Sequence, residues 1–249
     1  MTHVLLAGES WVSQATHYKG FDSFTSVTFH SGADDYIAAL GRAGITVEHM
    51  YAHDVPERFP ADAAALSAYD VVILSDIGAN SFLLPQETWL RGRPSTNRLK
   101  NLRDWVRDGG ALMMAGGYLS FQGFQARANF ARSPLADALP VTMFDYDDRV
   151  EIPEGVAPAL EAVDHPIGHA WQPDAPALLG YNRVLAKPDA QVVASVNGDV
   201  LIATAEYGSG RSLVWTSDIG PHWCPTDFLG WPGFDGLMAA MVRWLSKDR

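Results

Sequence analysis

The chain has 249 residues, 47% of them hydrophobic and 19% charged, which is ordinary for a globular domain and excludes a disordered or fibrous chain. Its formal charge of −11 repels phosphate backbones and anionic lipid, so neither nucleic acid nor a membrane is expected as a partner. A single Cys excludes an internal disulfide and any multi-cysteine metal centre, and no apolar run is long enough to span a bilayer, so a cytoplasmic protein is expected.

The length suits one α/β domain over residues 1–249. His3 to Ala7 is an unbroken apolar run ending at Gly8, the pattern of a buried parallel strand, and it delivers Glu9, Ser10 and Trp11 just past its carboxyl end. The stretch from Val12 to His30 has no clean period and reads as a long functional loop. Ser31 with Asp34 resembles a capping box and starts a helix from about Gly32 to Arg42. Ile45 to Met50 is the second strand. Val55 to Ala68 has room only for short helix, and Tyr69 to Ser75 is the third strand, the richest in β-branched residues. A polar loop, Asp76 to Ser81, follows and includes Asn80.

Leu99, Leu102 and Val106 share one face of a helix predicted over Ser95 to Asp108. That helix feeds the strand Ala111 to Ala115, which stops at Gly116-Gly117. Paired glycines at a strand end permit a sharp elbow and close backbone approach to a ligand, as where α/β enzymes present a nucleophile. Strands and helices in this order predict a doubly wound, mainly parallel sheet. Ligands bind such sheets outside the carboxyl ends of the strands, so Glu9 to Trp11, Asp76 to Ser81 and Gly116 to Gln122 are expected to converge on one crevice.

Prolines break up residues 124–190, which read as an irregular insertion with short strands. Within it the acidic run Asp145 to Glu151 reads as a solvated face in which Arg149 could pair internally, and Tyr181, Asn182 and Arg183 are candidates to reach over the crevice. Asn197-Gly198 between two β-rich runs predicts an antiparallel hairpin before the last sheet strand, Arg211 to Ser217. Phe234, Leu237, Met238, Met241, Val242 and Leu245 follow helical spacing and close the domain.

Several stretches together resemble the class I glutamine amidotransferase-like superfamily, and more closely its bacterial cytoplasmic glutamine amidotransferase-like proteins. They are Ser75 to Asn80, Gly116 to Gly123, Asp147 to Glu151, Leu179 to Asn182 and Ser217 to Trp223. The resemblance implies a flavodoxin-like fold, with trehalose-utilisation-type proteins as distant relatives. The chain departs from the superfamily at the elbow. A glutaminase needs a Cys there, whose thiolate attacks the amide, and a His with a carboxylate to activate it. Gly117 or Tyr118 stands where that Cys would be, and no His-Pro-Glu follows the last strand.

The candidate catalytic pair is His222 with Asp218. Glu9, Ser10, Trp11, Asp76, Asn80, Gly116, Gly117, Tyr118, Ser120, Gln122 and Trp223 are the candidate ligand-binding residues, with the elbow amides available to an oxyanion or carboxylate. Ser120 lacks the G-x-S-x-G frame of a nucleophile, and Cys224 is a displaced nucleophile only if its pKa is lowered. Glu9, Asp76, Asp218 and His222 have no close-spaced metal motif, so hydrogen-bonding carboxylates are expected rather than a metal centre, and no cofactor is expected. Trp11, Tyr118 and Trp223 beside Asp, Asn and Gln suit a small polar metabolite, a carbohydrate among them. The alternatives are a hydrolase or isomerase using His222 with Asp218 or Glu9, and a homo-oligomeric interaction module built on exposed aromatics.

Overall fold

The computed structural model describes residues 2–247. Its centre is an eight-stranded sheet. Five strands run parallel in the order β4 (Thr46–Met50), β1 (His3–Gly8), β5 (Val71–Ser75), β6 (Ala111–Ala115) and β14 (Gly210–Trp215). Beyond β14 the sheet continues antiparallel through β13 (Asp199–Tyr207), β12 (Gln191–Val196) and β9 (Pro158–Leu160). The α/β doubly wound architecture, and the hairpin before the last sheet strand, are as the sequence implies.

β1, β5 and β6 are covered on both faces. All five residues of β5 are buried, and each large aliphatic side chain so buried contributes about 1.5–3 kcal/mol. Against one face lie α1 (Asp34–Arg42) and the long α8 (Phe234–Ser246), whose Leu237, Met238, Met241 and Leu245 join the core around Leu6, Ile73 and Trp215. The other face carries the short turns α2 (Val55–Arg58), α3 (Ala63–Leu66), α4 (Asn80–Leu83) and α5 (Gln86–Trp89), together with α6 (Arg98–Arg107). Leu99, Leu102 and Val106 of α6 pack there with Leu5, Val72 and Met114. A last short turn, α7 (Thr226–Leu229), precedes α8.

The expected loop at Val12 to His30 is instead a long antiparallel ribbon, β2 (Ser10–Lys19) with β3 (Asp22–Ser31), paired in unbroken register and closed by the two-residue turn Gly20-Phe21. Gly20 supplies the positive φ that such a turn needs. The ribbon escapes a periodicity reading because neither of its faces is buried, and it is burial of one face that selects alternating apolar residues. The capping box is also different. Ser31 Oγ donates to Asp34 Oδ1 at 2.8 Å, and the residue preceding the helix, Ala33, offers no side-chain cap.

Residues 124–190 are built from 3-10 turns and short pairs: β7 (Val141–Met143) with β11 (Val184–Ala186), and β8 (Arg149–Val156) with β10 (Leu178–Asn182).

Candidate functional site

Two neighbouring strands end in the same way. β1 ends at Gly8 and β5 at Ser75, and the next residues, Glu9 and Asp76, both take left-handed backbone with φ of 45° and 43°. A non-glycine residue in that region is uncommon and is kept when surrounding bonds hold it. Here Glu9 N donates to Ser75 O at 2.7 Å, and Asp76 N donates to Ser120 Oγ at 3.0 Å. The reversals aim one carboxylic acid from each strand into a cleft of about 500 Å³ lined by Glu9, Trp11, Asp76, Tyr118, Asp218, Pro221 and His222.

β6 and β14 supply the opposite wall. Gly116 follows β6 and donates to Trp215 O and Ser217 O at 2.7 and 2.9 Å, which binds the elbow to the end of β14. Gly117, with φ of 137°, is wedged between two acids: a Cβ there would lie 2.8 Å from Asp76 Oδ1 and 3.0 Å from Asp218 Oδ1. The elbow amides are also committed. Gly117 N donates to Asn182 Oδ1 at 3.0 Å, and Leu119 N to Asp76 Oδ1 at 2.6 Å. Of the Gly116, Gly117 and Tyr118 amides expected to face an oxyanion or carboxylate, the first two are therefore taken, by the sheet and the insertion.

The support behind the elbow is a buried acid. Asp148 Oδ1 accepts from Gly123 N and Asn182 Nδ2, and its Oδ2 from Gln122 N, all at 2.8–2.9 Å. Burial nevertheless holds its carboxyl above the usual range. The acidic run is thus only partly a solvated face: Asp148 is enclosed, Arg149 pairs with Asp147 at 2.8 Å, and Asp145 alone of these three acids stays exposed.

Charge in the cleft is arranged around four groups. His222 Nδ1 lies 2.9 Å from Asp218 Oδ2, which also accepts from Trp223 N at 3.0 Å. The hydrogen bond to Asp218 raises the His222 pKa against the opposing effect of burial. Burial, then the charges of Asp218 and Asp76, push Glu9 well above the usual carboxylate range, while the 2.6 Å hydrogen bond from Ser75 Oγ works against them. Burial and then Asp218 push Asp76 up to about 6, although the Leu119 amide and His222 pull it down. Burial and the like charges together disfavour the ionised forms of Glu9 and Asp76.

Aromatic rings enclose these acids. Tyr118 meets the His222 ring edge-on at 4.8 Å, and His222 stacks on Trp223 at 5.4 Å. Arg149 lies over both Tyr118 and Phe124, at 4.7 and 4.2 Å from their ring centres. On the far side Trp11, at the root of the ribbon, stacks on His30 at 5.1 Å.

Of the residues singled out from sequence, Glu9, Trp11, Asp76, Tyr118, Asp218 and His222 meet in the cleft, with Gly117 between its acids. Others support its walls. Ser10 Oγ accepts from Ala52 N, Gln122 Oε1 accepts from Ala131 N, and Trp223 is buried with its indole N–H on Glu151 Oε2 at 2.9 Å. Ser120 is buried and spends its oxygen on the Asp76 amide, which leaves it unsuited to attack a substrate. Asn80 is exposed outside the cleft. Tyr181 and Arg183 turn away to Asp199, and only Asn182 of that trio reaches the elbow. Cys224 is fully buried, and burial raises its thiol pKa, the reverse of an activated nucleophile. Sequence reasoning missed Pro221 in the lining and Asp148 as the elbow's support. Among the described residues no group of three or more His, Cys, Asp or Glu is arranged to hold a metal ion.

The sheet order and the cleft beyond the strands' carboxyl ends define a doubly wound α/β protein. The chain belongs to the GATase1_like family, described as "Putative glutamine amidotransferase", whose model matches residues 3–247. Two solved structures from Salmonella typhimurium, each named a cytoplasmic protein, are similar over nearly their whole length. One has a TM-score of 0.93 and 40% identity, covering 97% of this chain and 98% of its own. The other, from strain LT2, has a TM-score of 0.92 and 42% identity, covering 98% and 99%. Their naming agrees with the location expected from the sequence. A ThuA-like protein from Bacteroides uniformis has a TM-score of 0.60 at 10% identity, covering 98% of this chain and 91% of its own, a likeness of fold alone. No curated protein matches the chain. Among the described residues no helix is long and apolar enough to cross a membrane.

Proposed function

We propose that the cleft binds a small polyhydroxylated metabolite, with carbohydrate as the leading class, and that the protein has no glutaminase activity. The observation that carries this reading is the pairing of buried acids with aromatic walls around an elbow that lacks a nucleophile. Glu9, and Asp76 below about pH 6, keep a protonated carboxyl that both donates and accepts, which matches the two-way hydrogen bonding of a hydroxyl. Trp11 and Tyr118 offer flat apolar faces to the C–H surface of a sugar ring. Gly117 leaves no room for the thiol that glutamine hydrolysis requires. Saturation-transfer NMR with a panel of mono- and disaccharides, polyols and amino acids tests this. Sugar signals that vanish in Trp11→Ala support it, whereas release of ammonia from glutamine, or a panel in which no sugar or polyol binds, sinks it.

A second reading, an isomerase or hydrolase using His222 with Asp218 or Glu9, is favoured by the 2.9 Å contact of His222 Nδ1 with Asp218 Oδ2 and by Glu9, its carboxyl pushed up by burial, in the same cleft. Such a pair can give and take a proton at neutral pH. In that case a bound sugar would be turned over by the wild type and bound unchanged by His222→Ala.

A further inference from the structure

The ribbon β2–β3 is the part of the molecule that the cleft does not account for. Trp11, Val12, Tyr18, Phe21, Phe24, Val27 and Phe29 lie within its 22 residues, and their exposures run from 44% to 110%. A two-stranded hairpin is at best marginally stable alone in water, so a long ribbon with both faces open needs a covering surface. No element among the described residues provides one.

The register shows what such a surface must be. Val12, Gln14, Thr16 and Tyr18 face Phe29, Val27, Thr25 and Ser23 across the ladder, and these pairs share one side of the ribbon. That side carries no charged residue. It continues onto the body, where Phe29 meets the exposed Tyr51 edge-on at 4.9 Å. Lys19 and Asp22 are the only formally charged residues of the ribbon and cancel, so the whole charge of −11 lies on the rest of the chain. Two copies meeting through their bodies would repel, and two meeting through a neutral apolar ribbon would not. Counting about 150–250 Å² for a fully exposed aromatic side chain and somewhat less for valine, and scaling by exposure, Val12, Tyr18, Val27 and Phe29 on that side and Phe21 at the tip offer on the order of 600 Å² per copy. Two such faces together would bury on the order of 1,200 Å², the lower end of the range of specific interfaces.

We infer that the ribbon is a self-association arm, its charge-free face packing against a second copy of this chain. Trp11 and His30 lie on the ribbon's opposite side at its root, where Trp11 lines the cleft, so docking the arm also steadies one wall of that cleft.

Sedimentation equilibrium across a wide concentration range tests the inference. The wild type should sediment at a multiple of the chain mass. Tyr18→Glu with Val27→Glu, both on the charge-free face, should raise the dissociation constant at least ~100-fold by placing like charges across the interface. Tyr18→Ser with Val27→Ser removes apolar contact without charge and should weaken association to a lesser degree. Unchanged thermal midpoints for the isolated variant subunits show that folding is intact. A wild type that stays monomeric overturns the inference, as does an assembly that both double variants leave unaltered. A monomer that co-sediments with phosphatidylcholine vesicles would assign the arm to lipid and overturn it too.

Discussion

A methyl group on Gly117 would lie 2.8 Å from Asp76 Oδ1, closer than real side-chain carbons approach an oxygen. The same residue holds φ at 137°, where L side chains are strained. Gly117→Ala should therefore destabilise the fold by about 1–3 kcal/mol, through backbone strain and displacement of the acid. Gly117→Cys should do the same and restore no glutaminase activity. Thermal unfolding and an ammonia-release assay check both, and a Gly117→Cys enzyme that hydrolyses glutamine would refute the account of the elbow.

Asp76 supplies a pH signature. Its folded pKa of about 6 lies above the ordinary 3.8, so the folded state holds a proton that the unfolded chain has already released between those values. The resulting penalty is absent below about pH 3.8, grows as pH rises, and is complete above about 6. At about 1.4 kcal/mol per unit it reaches at most ~3 kcal/mol, and cleft water reduces it. Asp76→Asn keeps an oxygen for the Leu119 amide and removes the penalty. Its melting temperature should exceed the wild type's at pH 7–8, with the gain shrinking to nothing near pH 4. A gain that is flat across this range would contradict the mechanism.

These two residues show what the sequence makes legible. Apolar runs ending at Gly8, Ser75 and Gly116 place three strand ends, and the rule that ligands sit beyond such ends brings Glu9 to Trp11, Asp76 to Ser81 and Gly116 to Gln122 to one crevice from the sequence alone. α8 is equally plain because its stripe faces a core. The ribbon is not legible, since nothing buries it to impose an alternating pattern. Ser10, Ser120 and Gln122 mislead for another reason: a polar side chain beside a chain reversal is as useful to an orphaned amide as to a ligand, and only the folded chain shows which amides lack partners. Asp148 is the same case at greater depth, an acid in a charged run that the loop 122–123 encloses.

Asp148→Ala should expose that role. It strands the amides of Gln122 and Gly123 and the Asn182 amide group, each a buried donor that costs about 1–3 kcal/mol unpaired. The melting temperature should fall by at least ~6 °C, at ~2–4 °C per kcal/mol for a chain of this size. Asp148→Asn retains an acceptor and should lose less. Equal losses from the two variants would mean that the carboxylate does not organise the loop.

Cys224 should be silent towards thiol reagents in the native protein and react at once on unfolding. It is fully buried, and its thiol is held protonated by burial and then by the neighbouring charge of Asp218. Labelling with iodoacetamide followed by intact-mass measurement checks this; rapid native modification would show that the C-terminal loop opens to solvent.

His222 and Asp218 form the pair whose titration is easiest to read. The hydrogen bond to Asp218 raises the imidazole pKa above its ordinary 6.5, so the protonated pair stabilises the fold fully below about 6.5, and that contribution is lost as pH climbs through the raised value. The ring proton resonances of His222 should titrate above the ordinary range. Asp218→Asn removes the charge while keeping an oxygen for the Trp223 amide, which leaves burial as the main influence, so the same resonances should titrate at lower pH. The variant should also be destabilised more at pH 5.5 than at pH 8.5. An unmoved His222 titration in Asp218→Asn would show that the 2.9 Å contact does not govern the proton, and would remove the basis for assigning His222 a part in proton transfer.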